Sequence, residues 1–268
     1  MAVITVNTVY GLDVRAVDFS SLYDGASYTA TPVLFQVDYG SGWVDQFRGI
    51  GFSYTPSLEP TGGIVTNYAT SYFGVRLYSV DGIAVAATSV AAVAKTYSLS
   101  DDYALVAQGL AGNDVFKGGR LNDFFDSFAG NDTLNGNGGN DTLFGNLGND
   151  LLNGGLGRDS LFGGAGRDTF VFNAALTSTD SIADFSHRDD TIRLENSIFK
   201  GMGSGPLKSI YFYAGTRAHD ADDHIIYNKA NGALFYDSDG TGPHAQVQFA
   251  TIGNHSTAGL AYTDFVLV

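Results

Sequence analysis

The sequence predicts a mainly β chain organised around a repeat array, and three observations lead to that class. Read in blocks of nine, Gly109–Val171 gives GLAGNDVFK, GGRLNDFFD, SFAGNDTLN, GNGGNDTLF, GNLGNDLLN, GGLGRDSLF and GGAGRDTFV. An Asp recurs at every ninth residue, and a large apolar residue follows two positions after each. The stretches on either side are rich in β-branched and aromatic residues and punctuated by glycine. The expected layout is an N-terminal β-rich head with a short helix over 1–108, a repeat array over 109–171 and a C-terminal β-rich capping flank over 172–268.

A chain of 268 residues has room for two or three modules. Its 28 acidic side chains outnumber 14 basic ones, for a net charge of −14. Nucleic acid and anionic membrane are poor partners for such a surface, and cations are better ones. Cysteine is absent, which excludes both a disulfide framework and a thiolate metal site. The start, MAVITVNTVYG, lacks a basic n-region and an unbroken apolar run, so no cleavable secretory signal is expected. No apolar run approaches the ~18–20 residues of a membrane span.

In the head, PVLFQVDY alternates partly and places Val33, Phe35 and Val37 on one face. Trp43–Tyr54 and Ile64–Val85 read as strands, with turns expected at Gly40–Gly42, Gly62–Gly63 and Asp81–Gly82. Ala86–Lys95 is helix-like. Ser100 as an N-cap ahead of Asp101 and Asp102 predicts a short helix over 101–108. The head has no His, a single Trp (Trp43) and ten Tyr. Such rings commonly fill half-buried strand positions, and they also suit a surface that holds a sugar or a protein. The acids Asp38, Asp45 and Glu59 are scattered, and spacing singles out no catalytic pair.

Within the array, each nonapeptide divides into a six-residue turn and a three-residue strand. Glycine permits left-handed backbone angles in the turn, and Asn tolerates them next best. Asp supplies a hard anionic oxygen, and the carbonyls of a Gly-rich turn are unobstructed, a donor set suited to calcium. The candidate ligands are Asp114, Asp123, Asp132, Asp141, Asp150, Asp159 and Asp168. Their turns contribute Gly112, Gly130, Gly136, Gly138, Gly139, Gly145, Gly148, Gly154, Gly155, Gly157, Gly163, Gly164 and Gly166. The residues two after each Asp, from Phe116 to Phe170, are expected to fill the core.

This array resembles the repeat of the RTX (repeats-in-toxin) family, the hemolysin-type calcium-binding nonapeptide. The resemblance implies a right-handed parallel β-roll with two nonapeptides per coil. Turns 18 residues apart would then stack and share an ion. One row would pair Asp114 with Asp132, Asp132 with Asp150 and Asp150 with Asp168; the other would pair Asp123 with Asp141 and Asp141 with Asp159. About five calcium ions result, and they would offset much of the acidic excess. Leu121 and the Ser127–Phe128 pair depart from the pattern, whereas repeats six and seven match it. The pairs nearest the C-terminus are therefore expected to bind tightest. Ordering 63 Gly-rich residues costs more backbone entropy than seven apolar side chains return, which makes the metal part of the folding reaction.

The flank extends the resemblance. DSIADF resembles the family's D-x-I-x-D-F element, and Asp180 and Asp184 would take one further calcium there. Asn231–Gly232 marks a hairpin turn. Asp237, Asp239 and Gly240 form a D-x-D-G that reads as a surface turn before it reads as a ligand set. Val247–Phe249 and Phe265–Val268 are expected to be closing strands. The ending DFVLV resembles the uncleaved signal of type I secretion substrates, which implies an exporter as partner and an extracellular location.

No H-E-x-x-H and no G-x-S-x-G occurs, so the zinc protease and lipase patterns of some RTX relatives are missing. All five His lie in the flank, where they read as solvated loop residues. Two function classes remain open. One is a non-enzymatic secreted calcium-binding protein whose head binds a glycan, a cell surface or a host partner in adhesion. The other is a small secreted enzyme, acting for instance on glycans, with an unrecognised active site in residues 1–108.

Overall fold

The computed structural model describes residues 1–268 except 8–10, 18, 26, 97 and 98. In the head, β1 (Val3–Val6), β2 (Ser27–Thr31), β3 (Leu34–Asp38), β4 (Trp43–Tyr54), β5 (Pro60–Tyr72) and β6 (Val75–Ala86) lie in the spatial order β1-β6-β5-β4-β3-β2. Every pairing among them is antiparallel. Alternation sends Phe35, Val37 and Phe47 to one face, and the register shift between Val65 and Asn67 lets Val65 and Tyr68 share it. Helices α1 (Ala87–Val93) and α2 (Leu99–Gly109) cover that face through Ala87, Val90 and Leu105.

Two expectations for the head need correction. Gly62, Gly63 and Gly82 are not turns: they lie inside β5 and β6, whose pairing shifts register. Gly63 and Gly82 have φ of 105° and 81°, so these glycines bend long strands instead of ending them. The β5–β6 reversal is made by Phe73 and Gly74. The second helix begins at Leu99, which puts Ser100 inside its first turn instead of at the N-cap. The expected acids, Asp101 and Asp102, do occupy that first turn.

The array contributes β7 (Val115–Lys117), β8 (Phe124–Asp126), β9 (Thr133–Asn135), β10 (Thr142–Leu147), β11 (Leu151–Asn153), β12 (Ser160–Ala165) and β13 (Thr169–Phe172). Strands from alternate repeats pair in parallel, Val115 with Thr133 and Thr142 with Ser160, so one coil spans two nonapeptides. Phe116, Phe125, Leu134, Leu143, Leu152, Leu161 and Phe170 fill the space between the two sheets and are all 0% exposed. β10 and β12 run six residues instead of three, because Asn146 and Leu147 keep pairing with Gly164 and Ala165.

The flank adds β14 (Asp180–Ile182), β15 (Thr191–Leu194), β16 (Gly205–Pro206), β17 (Phe212–Ala214), β18 (Ile225–Asn228), β19 (Ala233–Tyr236), β20 (Val247–Ile252) and β21 (Phe265–Leu267). β14 with β15, and then β20 with β21, continue the roll in parallel register. The hairpin β18–β19 joins β20 antiparallel and ends the coil stack on that side.

At the other end, β1 pairs antiparallel with β6 and parallel with β7. One 13-stranded sheet therefore runs from the head through the roll, facing an 8-stranded sheet. Among the described residues, no helix is long and apolar enough to cross a membrane.

Candidate metal centre

Each nonapeptide turn delivers its Asp to the edge of the roll with the side chain folded inward. All seven repeat Asp residues are buried. One oxygen of each makes a rung to the preceding coil. The Asp114 N–H donates to Asp132 Oδ1 at 2.7 Å, Asp132 to Asp150 at 2.7 Å and Asp150 to Asp168 at 2.9 Å. In the second row the Asp123 N–H donates to Asp141 Oδ1 at 2.8 Å, and Asp141 to Asp159 at 2.8 Å. These are the two rows that 18-residue stacking predicts, but both continue further. Asp159 donates to Asp180 Oδ1 at 3.0 Å and Asp168 donates to Asp190 Oδ1 at 3.0 Å.

The second oxygen is left over. Oδ2 of Asp114, Asp132, Asp141, Asp150, Asp159 and Asp168 is buried without a hydrogen-bond partner. A buried anionic oxygen in that position is costly unless something positive meets it. Burial pushes the Asp141, Asp150 and Asp180 carboxyls up to about 7, and those of Asp132 and Asp168 up to about 6. Neighbouring carboxylates add to the rise, Asp159 acting on Asp141 and Asp168 on Asp150.

In repeats four to seven the glycine that opens the turn lies against that oxygen. A Cβ at Gly136 would sit 2.1 Å from Asp141 Oδ2 and 2.7 Å from the Gly154 carbonyl of the next coil. At Gly145 the corresponding neighbours are Asp150 Oδ2 at 2.4 Å and the Gly163 carbonyl at 2.7 Å. At these two positions a carboxylate oxygen from one coil and a carbonyl from the next thus converge on a point that glycine leaves open. The glycine at the fourth position of the repeat is required for a different reason. Gly148, Gly157 and Gly166 have φ of 134°, 130° and 143°, and a Cβ on them would lie 1.6–1.7 Å from the carbonyl stacked above.

Unpartnered hard oxygens, convergent carbonyls and the absence of nitrogen or sulfur donors fit calcium. Gly138 differs from the other candidate glycines in combining an open site with no left-handed φ: its Cβ would find nothing closer than 3.8 Å, whereas the equally open Gly112 has φ 141°. Asp123 also differs, since its Oδ2 already accepts the Gly119 N–H at 2.9 Å. Asp184 accepts from the Gly163 and Gly164 N–H groups at 3.0 and 2.9 Å and closes the last regular turn, while Asp180 belongs to the Asp row itself. Phe128 adopts φ 63° at a turn position suited to Gly or Asn, and its ring lies 5.1 Å from that of Tyr103 on α2. Ser127 is buried, and its hydroxyl donates to the Gly145 carbonyl at 2.9 Å.

Several contributors escaped sequence reasoning. Asp190 is the next rung after Asp168, but it comes 22 residues later instead of 18. Its signal was the D-x-apolar pattern Asp190-Thr191-Ile192, out of phase with the array. Asn113, Asn122, Asn131, Asn140 and Asn149 form a parallel ladder in which each side-chain oxygen accepts the backbone N–H 18 residues later, at 2.7–2.8 Å. At the N-terminal end, the Ala2 N–H donates to Asp114 Oδ1, and the Leu12 N–H to Asp123 Oδ1 at 2.6 Å. Residues without any repeat signature therefore complete the first coil.

Outside the roll, Asp45 accepts from the Tyr39 and Tyr68 hydroxyls at 2.9 and 3.1 Å and has no second carboxylate among these partners. In the flank, Asp239 Oδ2 meets His244 Nδ1 at 2.7 Å. His224 is not a solvated loop residue: it is buried, with Nδ1 2.7 Å from the Asp237 carbonyl.

Residues 108–143 and 135–170 match the family model described as the RTX calcium-binding nonapeptide repeat (4 copies). Among solved structures, the chain is similar to the AlgE6R3 subunit from the Azotobacter vinelandii mannuronan C5-epimerase. That likeness has 27% identity over 59% of this chain and 80% of the other, with a TM-score of 0.33. The AlgE6R2 subunit of the same epimerase is similar at 24% identity over 60% of this chain and 93% of the other, with a TM-score of 0.32. No curated protein matches the chain.

Proposed function

We propose, from the premise that residues 108–170 are RTX calcium-binding nonapeptide repeats, that this is a secreted protein whose roll folds on calcium and presents the head to a glycan-bearing surface. The observation that carries the reading is the run of six buried Oδ2 atoms with no partner. Asp114, Asp132, Asp141, Asp150, Asp159 and Asp168 would hold the ions through these oxygens, with turn carbonyls such as those of Gly154 and Gly163 completing the donor set. Asp123, Asp180, Asp184 and Asp190 would serve the ends of the two rows. Calcium supplies the positive charge that buried, mutually repelling carboxylates need.

The chain's own residues do the rest. Glycines keep the ion space clear, the Asp and Asn ladders fix the coil spacing, and the apolar rungs exclude water between the sheets. Where calcium is scarce, the carboxylates stay uncompensated and the repeats stay unfolded, a state suited to passage through a type I exporter. Extracellular calcium, against module affinities of ~10⁻⁴–10⁻³ M, then drives folding.

Circular dichroism of the full chain with chelator and with millimolar calcium tests this. A rise in β-signal and in thermal midpoint with calcium is expected. Equal spectra in both conditions would sink the folding switch. Isothermal titration would count the ions, and magnesium at the same concentration should fail to replace them.

A further inference from the structure

The β5–β6 turn contains a conflict between local preference and sequence. It is a two-residue hairpin turn with Phe73 at φ 46° and Gly74 at φ 77°. Such a turn favours Asn-Gly or Asp-Gly, and a bulky ring at its first position is a genuine backbone outlier. Burial does not compensate for it, because Phe73 is 73% exposed. A strained residue kept where packing does not need it is a pointer to function.

Its surroundings share that character. Trp43 is 44% exposed and stands opposite Tyr72 across the β4–β5 pair. The Trp43 and Tyr72 rings are 4.7 Å apart, and those of Tyr72 and Phe73 are 4.6 Å apart. Gly42 makes room for the Phe73 ring, since a Cβ there would sit 2.8 Å from it, and the Phe73 N–H donates to the Gly42 carbonyl at 2.7 Å. The two hairpin tips, 39–43 and 71–75, carry no charged residue.

We propose that Trp43, Tyr72 and Phe73 form a stepped platform, neighbouring rings tilted by 41° and 63°, whose separate faces stack the pyranose rings of a neutral glycan. The inference rests on the glycan-binding reading of the head and names its site and ligand class. Two considerations select this occupant. The charge-free tips complement an uncharged sugar, and they hold no Lys or Arg to pair with a uronate carboxylate or a lipid phosphate. The three partly exposed rings offer about 300 Å² of aromatic surface, enough for one or two sugars and well short of the ~800 Å² per partner in a stable protein interface. Aromatic faces meet the C–H faces of a pyranose without needing charge on either side.

The test uses the full chain in millimolar calcium. It is titrated against neutral gluco-, galacto- and manno-oligosaccharides, against uronate oligosaccharides and against phosphatidylcholine vesicles. Trp43→Ala and Phe73→Asn are measured in parallel, with thermal midpoints recorded. The expected result is binding to a neutral oligosaccharide that both variants weaken at least tenfold. Phe73→Asn should also keep or raise the midpoint, because Asn suits the turn. Neutral-sugar binding that survives both substitutions overturns the platform and leaves a glycan-binding head. Lost binding together with a lowered Phe73→Asn midpoint makes the ring structural and overturns the platform too. Binding only to uronates or only to vesicles overturns the neutral-glycan assignment. A wild-type chain that binds none of the probes overturns both the platform and the glycan reading of the head.

Discussion

Asp132 and Asp150 sit one above the other in adjacent coils, and the Asp132 N–H donates to Asp150 Oδ1 at 2.7 Å while Oδ2 of each carboxylate is buried without a partner. The two oxygens of one side chain thus have separable duties. One sets the coil spacing, and the other is free of any hydrogen bond. Substitution can take them apart.

Asp150→Asn keeps an oxygen acceptor for the Asp132 N–H and removes the charge. Asp150→Ala removes both. The Asn variant should raise the calcium midpoint for folding by roughly tenfold, equivalent to ~1.4 kcal/mol. The Ala variant should raise it further, since a buried N–H then loses its partner at a cost of ~1–3 kcal/mol. Calcium titrations followed by circular dichroism would decide, and equal midpoints for wild type and Asp150→Asn would refute the metal duty of Oδ2.

Glycines in the turns should fall into two classes. A Cβ at Gly157 would come within 1.6 Å of the Gly139 carbonyl, at φ 130°. Gly157→Ala should therefore cost ~2 kcal/mol or more with calcium bound. Gly138 has no left-handed φ and nothing within 3.8 Å, so Gly138→Ala should change stability by less than ~1 kcal/mol, toward stabilisation. Chemical denaturation in excess calcium compares the two. Similar losses would mean that stacking on the carbonyl above is not what fixes the glycine.

These contrasts show what the sequence could and could not reveal. The nine-residue phase of Asp and apolar residue made the roll, its core and both Asp rows legible, because each coil repeats one local geometry. Legibility ended where phase ended. Asp180 and Asp190 arrive 21 and 22 residues after their predecessors, since the chain inserts loops before them. Phe128 reads as a defect until α2 brings Tyr103 against it. In the head, glycine is ambiguous between turn and bulge. Gly63 and Gly82 became bulges because long-range pairing of β4, β5 and β6 outweighed the local preference, while the strained Phe73 took the turn.

Protonation should compete with calcium, in a direction the carboxyl shifts determine. Asp141, Asp150 and Asp180 are raised to about 7 in the folded chain, and Asp132 and Asp168 to about 6, from an unfolded value near 3.9. Between about pH 4 and 7 the calcium-free fold holds more protons than the unfolded chain does. Its stability is therefore greatest at the acid end and falls as pH rises through that window. Chelated protein should gain β-signal between pH 7.5 and 5, and the calcium affinity of the folded chain should rise with pH as the competing protons leave. A chelated chain that loses structure on acidification would contradict the burial of these groups.

The join between head and roll supplies the last test. β1 is shared, pairing with β6 of the head and β7 of the first repeat, and Ile4 is 1% exposed in the roll's core cluster. Ala2 and Leu12 donate their N–H groups to Asp114 and Asp123, in the place that a preceding repeat would occupy. Ordering the first rungs therefore orders β1, although more than a hundred residues separate them in the chain. Hydrogen exchange of Val3–Val6 should slow with calcium in step with Val115–Lys117, and β2, at the far edge of the sheet, should respond less. Ile4→Ala should cost ~2–5 kcal/mol and uncouple the two exchange responses. If Val3–Val6 exchanges at the same rate with chelator and with calcium, the head folds independently of the roll and β1 is a passive neighbour.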